Sequence, residues 1–419
     1  MRTTRYLSGM IAALSVISCA TVQKAGKTSD VKTYDSYRGL VMAGYQGWFN
    51  ADGDGAGRGF YHYNGSDGFR PGSASVDMWP DVSEYEQTYP TSFRMPDGSP
   101  ARVFSSEDST TVMTHFRWME EYGLDGVFMQ RFIAEIKNPS SRRHFDRVLD
   151  LAMHSAVHHH RAIAVMYDLS GMRKADVRVL IEDVAGIASR HNLFKRSDNP
   201  SYLYHNGHPL IAVWGIGFND GRDYDIDDAR EIVENLKRSG FSVMLGVPTH
   251  WRTLDGDTEP NPALHEIIRS ADVIMPWFVG RYDEAGYEAY LPLIKNDIEW
   301  CESNGIDYAP LIYPGFSWKN MCGEGSFFVP RNNGRFFQKQ IDGALCSGAE
   351  MIYVAMFDEI DEGTAIFKCE KTVPLPQNGT EFVPVDSAIE GDHYLKAVGE
   401  ASTRLKKLVD LSSSKDKCP

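Results

Sequence analysis

Short apolar runs rich in β-branched and aromatic residues recur along the chain, each closing on Gly, Pro or a polar residue. Eight such runs stand out: LVMAGYQGW from Leu40, DGVFMQRF from Asp125, AIAVMYDLSG from Ala162, PLIAVWGIGF from Pro209, FSVMLGVP from Phe241, DVIMPWFVGRY from Asp272, YAPLIYPGFSW from Tyr308, and a last one from Met351. Between most of them the apolar residues fall three or four apart, as in TVMTHFRWMEEYG and DIDDAREIVENLKRSG, and these segments end at Gly, a helix stop. Eight alternations of strand and helix, with no solenoid repeat and no Pro/Ser linker dividing the chain, predict an α/β protein built as a single (β/α)8 TIM barrel. A doubly wound open sheet would carry a Gly-rich phosphate loop after its first strand, and AGYQGW has the wrong spacing for one. The interval from Phe49 to Ser106, rich in Gly, Asp and aromatic residues, reads as an elaborated first βα loop covering the barrel mouth.

The N-terminus changes the organisation. In MRTTRYLSGMIAALSVISCA, two arginines precede a short apolar core that is too short to span a bilayer as a helix, so it reads as a secretory signal. The ending Val16-Ile17-Ser18-Cys19 resembles a bacterial lipobox, which implies lipidation of Cys19 and anchoring to a membrane after export. Residues 1–19 are then the signal, 20–36 a polar Lys-rich tether, and 37–410 the catalytic domain. The remaining five cysteines, Cys301, Cys322, Cys346, Cys369 and Cys418, match no zinc spacing. An odd count cannot all pair, so most of these read as unpaired small core residues, with Cys322–Cys369 the candidate bridge between two loops. Neither a cofactor nor a metal is expected: Asn50, Asp52 and Asp54 start like a calcium loop, but its twelfth position is Tyr61, and His158 to His160 fall at a helix end on the bottom face.

A net charge of −14, with 43 scattered basic residues, argues against nucleic acid and fits a neutral partner. A composition of 42% hydrophobic residues supports a large core, and a monomer is expected.

The chemistry concentrates where the last run ends. MIYVAMFDEIDEGTAIF passes from apolar residues to Asp358, Glu359, Asp361 and Glu362, then Gly363 and Thr364. Alternation puts Ile352, Val354 and Met356 towards the helical ring and Tyr353, Ala355, Phe357 and Glu359 towards the barrel axis. Glu359 then points over the mouth, where barrels place their chemistry, and Glu362 returns to the same space through a turn that Gly363 permits. Glycosidic bond cleavage uses two such carboxylates, one held protonated to donate to the leaving oxygen and one ionised as base or nucleophile. Asp358 joins them as a candidate substrate ligand. Other strand ends supply aromatic faces and polar groups suited to sugars. These are Tyr45, Gln46 and Trp48; Gln130 and Arg131; Tyr167 and Asp168; His250 and Trp251; Trp277 and Arg281; and Tyr313 and Trp318.

The order Glu359-Ile360-Asp361-Glu362-Gly363-Thr364 resembles the signature of glycoside hydrolase family 99, and YQGWF, DMWPDVSEY, DGVFMQRF and VMYDLSG resemble the bacterial lipoproteins grouped as family 71/99-like. The likeness covers Tyr37 to Tyr394. It implies an endo-acting α-mannosidase or mannanase working through a 1,2-anhydro sugar with net retention. Glu359 then matches the residue that removes the proton of the 2-hydroxyl, and Glu362 the acid that protonates the leaving group. Ile360 and Asp361 stand where the family has an aromatic residue and His, so Asp361 adds a negative charge expected to raise the pKa of Glu362. Action on α-glucan, a xylosidase or arabinosidase activity, and a non-catalytic glycan-binding lipoprotein are the alternatives. A barrel isomerase or aldolase would want a strand-end Lys, a phosphate site or a metal cluster.

Overall fold

The computed structural model describes residues 32–323 and 325–415. The signal, Cys19, most of the tether and Cys418 lie outside those residues. The packed body begins before the boundary drawn at residue 37. Tyr34 is buried, its hydroxyl donates to the His160 carbonyl, and its own carbonyl accepts the Tyr204 amide at 2.9 Å. At the other end the last helix, His393–Lys415, runs past residue 410.

Every apolar run holds a parallel strand. Among the described residues the hydrogen-bonded order is Asp307–Tyr308, Val273–Pro276, Ser242–Val247, His208–Trp214, Ala162–Asp168, Gly126–Phe132, Val41–Tyr45, Ile352–Val354 and Leu311–Ile312. This wall, with helices between its strands, makes an α/β barrel. The run from Tyr308 is interrupted at Ala309-Pro310, since proline has no N–H to continue a ladder. Its first part pairs with Val273 and Ile274, and its second with Tyr353 and Val354.

Register decides which side chains share a face. Gln130 lies opposite Met166, Arg131 opposite Tyr167 and Phe132 opposite Asp168, while Asp168 in turn lies opposite Trp214. Gly44 sits where Tyr353 and Met356 fill the interior, and a Cβ there would overlap both.

The helical segments form as their caps dictate. Ser109–Tyr122 stops at Gly123, whose φ of 86° is left-handed and whose amide bonds the Met119 carbonyl. Ile226–Arg238 starts with a capping box, in which Asp225 accepts the amides of Asp227 and Asp228 at 3.0 and 3.1 Å and Asp228 accepts the amide of Asp225 at 2.9 Å.

The first loop contains an antiparallel hairpin, Tyr89–Arg94 with Pro100–Val103. It is fixed over the mouth by buried Asp77, whose carboxylate accepts the amides of Lys319 and Asn320, both at 2.7 Å, while the amides of Asp77 and Met78 bond the Ile360 carbonyl. Asn50 and Asp54 form a turn closed by a 2.9 Å hydrogen bond between their side chains. Of the histidine run, His158 and His160 are exposed and His159 is buried against Glu120 at 2.7 Å. Cys301, Cys322, Cys346 and Cys369 are all unpaired, so the Cys322–Cys369 bridge is not formed.

Candidate active site

The mouth of the barrel opens into a cleft of about 630 Å³ that Glu359 and Glu362 both line. The turn holding them is shaped by Gly363 at φ 63°, where the Arg331 guanidinium bonds the carbonyls of Gly363 and Ala365 at 2.7 Å each. Glu359 is buried, accepting from the Gln46 amide at one oxygen and from the Thr364 hydroxyl at 2.5 Å at the other. Burial first, then the neighbouring charges of Glu362 and Asp361, push its pKa above the ordinary carboxylate range. Burial likewise pushes Glu362 up to about 7, helped by the charges of Asp361 and Asp168 and partly offset by the Trp318 indole.

The other two acids of the run stand apart from the cleft. Asp358 is fully buried and spends both oxygens on the backbone, accepting the Gln46 amide at 2.7 Å and the Gly47 amide at 2.9 Å. It anchors the end of the first strand, and the expectation that it binds substrate is corrected. Asp361 is 2% exposed, with Oδ2 at 3.2 Å from His62 Nδ1 and Oδ1 without a partner among the described residues. Burial pushes its pKa up to about 7. His62 comes from the first loop and lies flat on Trp48, ring centres 3.8 Å apart, and burial lowers its pKa to about 3 so that it is neutral.

The predicted alternation along the last strand holds at Tyr353, which accepts a hydrogen bond from Gln130 at 3.1 Å inside the barrel. It inverts beyond Val354, where strand pairing ends. Met356 lines the cleft, whereas Phe357 turns outward to stack on Tyr45, ring centres 5.6 Å apart.

Seven of the strand-end candidates line the cleft with the two glutamates: Gln46, Trp48, Gln130, Asp168, Trp277, Arg281 and Trp318. Arg281 sits at the rim, paired with Asp257 at 3.0 Å. The remainder do not, each for a visible reason. Tyr45 points outward, its hydroxyl 2.7 Å from His115 Nδ1. Arg131 and Tyr167, facing out side by side, share Asp183, with Arg131 Nη2 at 2.7 Å and the Tyr167 hydroxyl at 2.8 Å from it. Trp251 is fully buried, edge-on to Trp300 with ring centres 5.0 Å apart. His250 lies beyond the cleft lining, with its amide bound to Asp257 at 3.1 Å. Tyr313 is buried, its hydroxyl donating to the Tyr282 carbonyl.

Sequence reasoning passed over Trp214, Phe218 and Phe327, which also line the cleft. Trp214 ends the strand His208–Trp214 as the chosen residues end theirs, so the same rule applied to that strand finds it. Phe327 lies on the hairpin Phe316–Ser317/Phe328–Val329, which no periodicity marks. The indole N–H groups of Trp48 and Trp214 and Oε1 of Gln46 are buried without partners among the described residues. Among those residues no group of three or more His, Cys, Asp or Glu side chains is placed to hold a metal.

The chain is thus an α/β barrel with carboxylates gathered in an aromatic cleft at its mouth. No protein-family model matches it, and no curated protein matches its sequence. Among solved structures, it resembles the GH99 endo-alpha-mannosidase from Bacteroides thetaiotaomicron in complex with BIS-TRIS-propane, at TM-score 0.63 and 16% identity over 90% of this chain and 100% of that one. A second structure of the GH99 endo-alpha-mannosidase from this organism gives TM-score 0.63 and 15% identity, covering 90% of this chain and 99% of its own. A glycoside hydrolase-like protein follows at TM-score 0.51 and 13% identity, over 78% of this chain and 94% of that one. At these identities the likeness is one of fold.

Proposed function

We propose that this protein is a retaining glycoside hydrolase cutting a neutral α-linked glycan, such as α-mannan, within the chain. The observation that carries the reading is the convergence of Glu359 and Glu362 on one aromatic cleft at the barrel mouth. Burial and mutual repulsion raise both glutamates, so the pair holds a proton near neutrality; the donors Gln46 and Thr364 favour placing the charge on Glu359 and leave that proton on Glu362. In this reading Glu359 takes the proton of the 2-hydroxyl, that oxygen attacks the anomeric carbon, and the bond to the leaving oxygen breaks as Glu362 protonates it. Water then opens the 1,2-anhydro ring with the two roles reversed, so the configuration is retained. Trp214, Trp277 and Trp318 offer faces to pyranose rings, and the unpaired groups of Trp48, Trp214 and Gln46 suit sugar hydroxyls. The fold shared with the GH99 endo-alpha-mannosidase supports the same reading.

The barrel is read as eight-fold, with Asp307–Tyr308 and Leu311–Ile312 as halves of one strand. Export with a lipid anchor at Cys19 and a monomeric state complete the proposal.

The test is to incubate purified protein with α-mannans, α-glucans and pentose-containing glycans, size the products and follow anomeric configuration by NMR. Internal fragments with retained configuration from α-mannan are expected, and their loss in Glu359→Gln and Glu362→Gln. Absence of hydrolysis across the panel by the wild type refutes the reading.

A further inference from the structure

The loop after the strand His208–Trp214 forms one wall of the main cleft, and on its far side lies a second groove of about 360 Å³. Phe218 lines both. Its ring packs against Trp214, ring centres 4.9 Å apart, and the Arg222 guanidinium lies 4.9 Å from the centre of each ring. Arg222 is itself fixed, donating to Asp220 at 2.8 and 2.9 Å and to the Tyr224 hydroxyl at 3.0 Å. The loop is stapled to its neighbour, because Asn219 Nδ2 donates to the carbonyls of Gly256 and Thr258 at 2.9 and 3.3 Å, and its backbone amide donates to the Asp257 carbonyl at 3.2 Å. Asp257 is also the residue that pairs with Arg281 on the rim of the main cleft. One cross-linked wall therefore separates the two depressions, shaped before any ligand arrives.

The groove also offers free polar groups. The Glu259 carboxylate and the Asn261 amide nitrogen make no hydrogen bond or ion pair with the described residues. An acceptor and a donor on the same groove as an aromatic ring suit a sugar, whose hydroxyls bind amides and carboxylates while its C–H face lies on a ring. The unpaired Glu259 carboxylate on this groove disfavours an anionic residue such as a uronic acid.

We propose that this second groove is a distal subsite of the same glycan site, in which a neutral sugar further along the chain packs on Phe218 and hydrogen-bonds Glu259 and Asn261. The proposal rests on the glycan reading and adds discrimination by chain length. A chain that fills only the main cleft forgoes these contacts, and one that crosses Phe218 gains them.

The test uses a size ladder of α-mannan oligosaccharides with a parallel α-glucan ladder, measuring kcat/KM on the wild type and binding by calorimetry on Glu362→Gln. The variants, made in both backgrounds, are Phe218→Ala and the double change Glu259→Ala with Asn261→Ala. Affinity and kcat/KM are expected to rise about tenfold at one step of the ladder, equivalent to ~1.4 kcal/mol. Each variant is expected to remove most of that step. A flat ladder overturns the proposal. So does a step lost in Phe218→Ala but kept in the double variant, because it then belongs to the main cleft. Length-dependent binding that both variants reduce, in a protein that cleaves nothing, retains the subsite and removes only the hydrolase reading.

Discussion

Replacing Asp361 by Asn removes one charge from the acidic turn while keeping the volume and an acceptor for His62 Nδ1 at 3.2 Å. Asp361 is 2% exposed, and burial pushes its pKa up to about 7 against an ordinary 3.8. A folded-state pKa raised in this way means that the native protein holds a proton that the unfolded chain releases. The stability from that proton is complete below about pH 4 and is lost as the pH rises through 7. Three units at ~1.4 kcal/mol each set a ceiling of ~4 kcal/mol, and sharing of protons with Glu359 and Glu362 lowers it to ~3 kcal/mol. Asn carries no such loss. With a melting entropy of ~0.8 kcal/mol/K for a chain of this length, the variant should melt ~4 °C above the wild type at pH 8 and alongside it at pH 4. Scanning calorimetry across that range measures the difference directly. Because the Asp361 charge, after burial, also helps raise Glu362, the basic limb of the pH–rate profile should move to lower pH in the same variant. A gain in melting temperature that is equal at both pH values, or a basic limb that stays in place, refutes the reasoning.

The other predictions concern single side chains. Glu362→Gln should abolish turnover of glycosides with basic leaving groups and spare activated aryl glycosides, because a departing phenolate needs no acid; equal loss on both removes Glu362 from the acid role. Trp48→Ala should weaken glycan binding in calorimetric titration, while Trp251→Ala should leave affinity in place and cost ~3–5 kcal/mol of stability, as expected for truncating a fully buried ring. Asp183→Asn should cost ~3 kcal/mol in chemical denaturation with KM unaltered, since it leaves Arg131 and Tyr167 without the buried carboxylate they share.

Much of the architecture was legible because parallel barrel strands are buried on both faces and read as short continuous apolar runs. The acidic turn was legible for the opposite reason: four carboxylates at the end of an apolar run are costly to bury, so their crowding there stands out. The interruption at Pro310 was less visible, since one proline inside an apolar run does not say which neighbour each half will pair with. His62 was invisible as well. It reaches Asp361 from 299 positions away, on a loop with no period to read.

Three of the misplaced residues, Tyr45, Arg131 and Tyr167, follow one rule. At these strand ends the candidates are sequence neighbours, Tyr45 with Gln46, Gln130 with Arg131 and Tyr167 with Asp168, yet successive side chains on a strand point to opposite faces, so one of each pair must leave the cleft. In every pair the residue that leaves finds a partner in the outer layer: His115 for Tyr45, and Asp183 for both Arg131 and Tyr167. Hydropathy does not mark the choice, because both faces are buried, but register does. Once Gln130 is set inward, the pairings Gln130 with Met166 and Phe132 with Asp168, then Asp168 with Trp214, carry the inward face across three strands. The same step assigns Arg131 and Tyr167 together to the outside. One inward side chain therefore places the rest of this wall, and Trp214 enters the cleft by the same rule that excludes Tyr167.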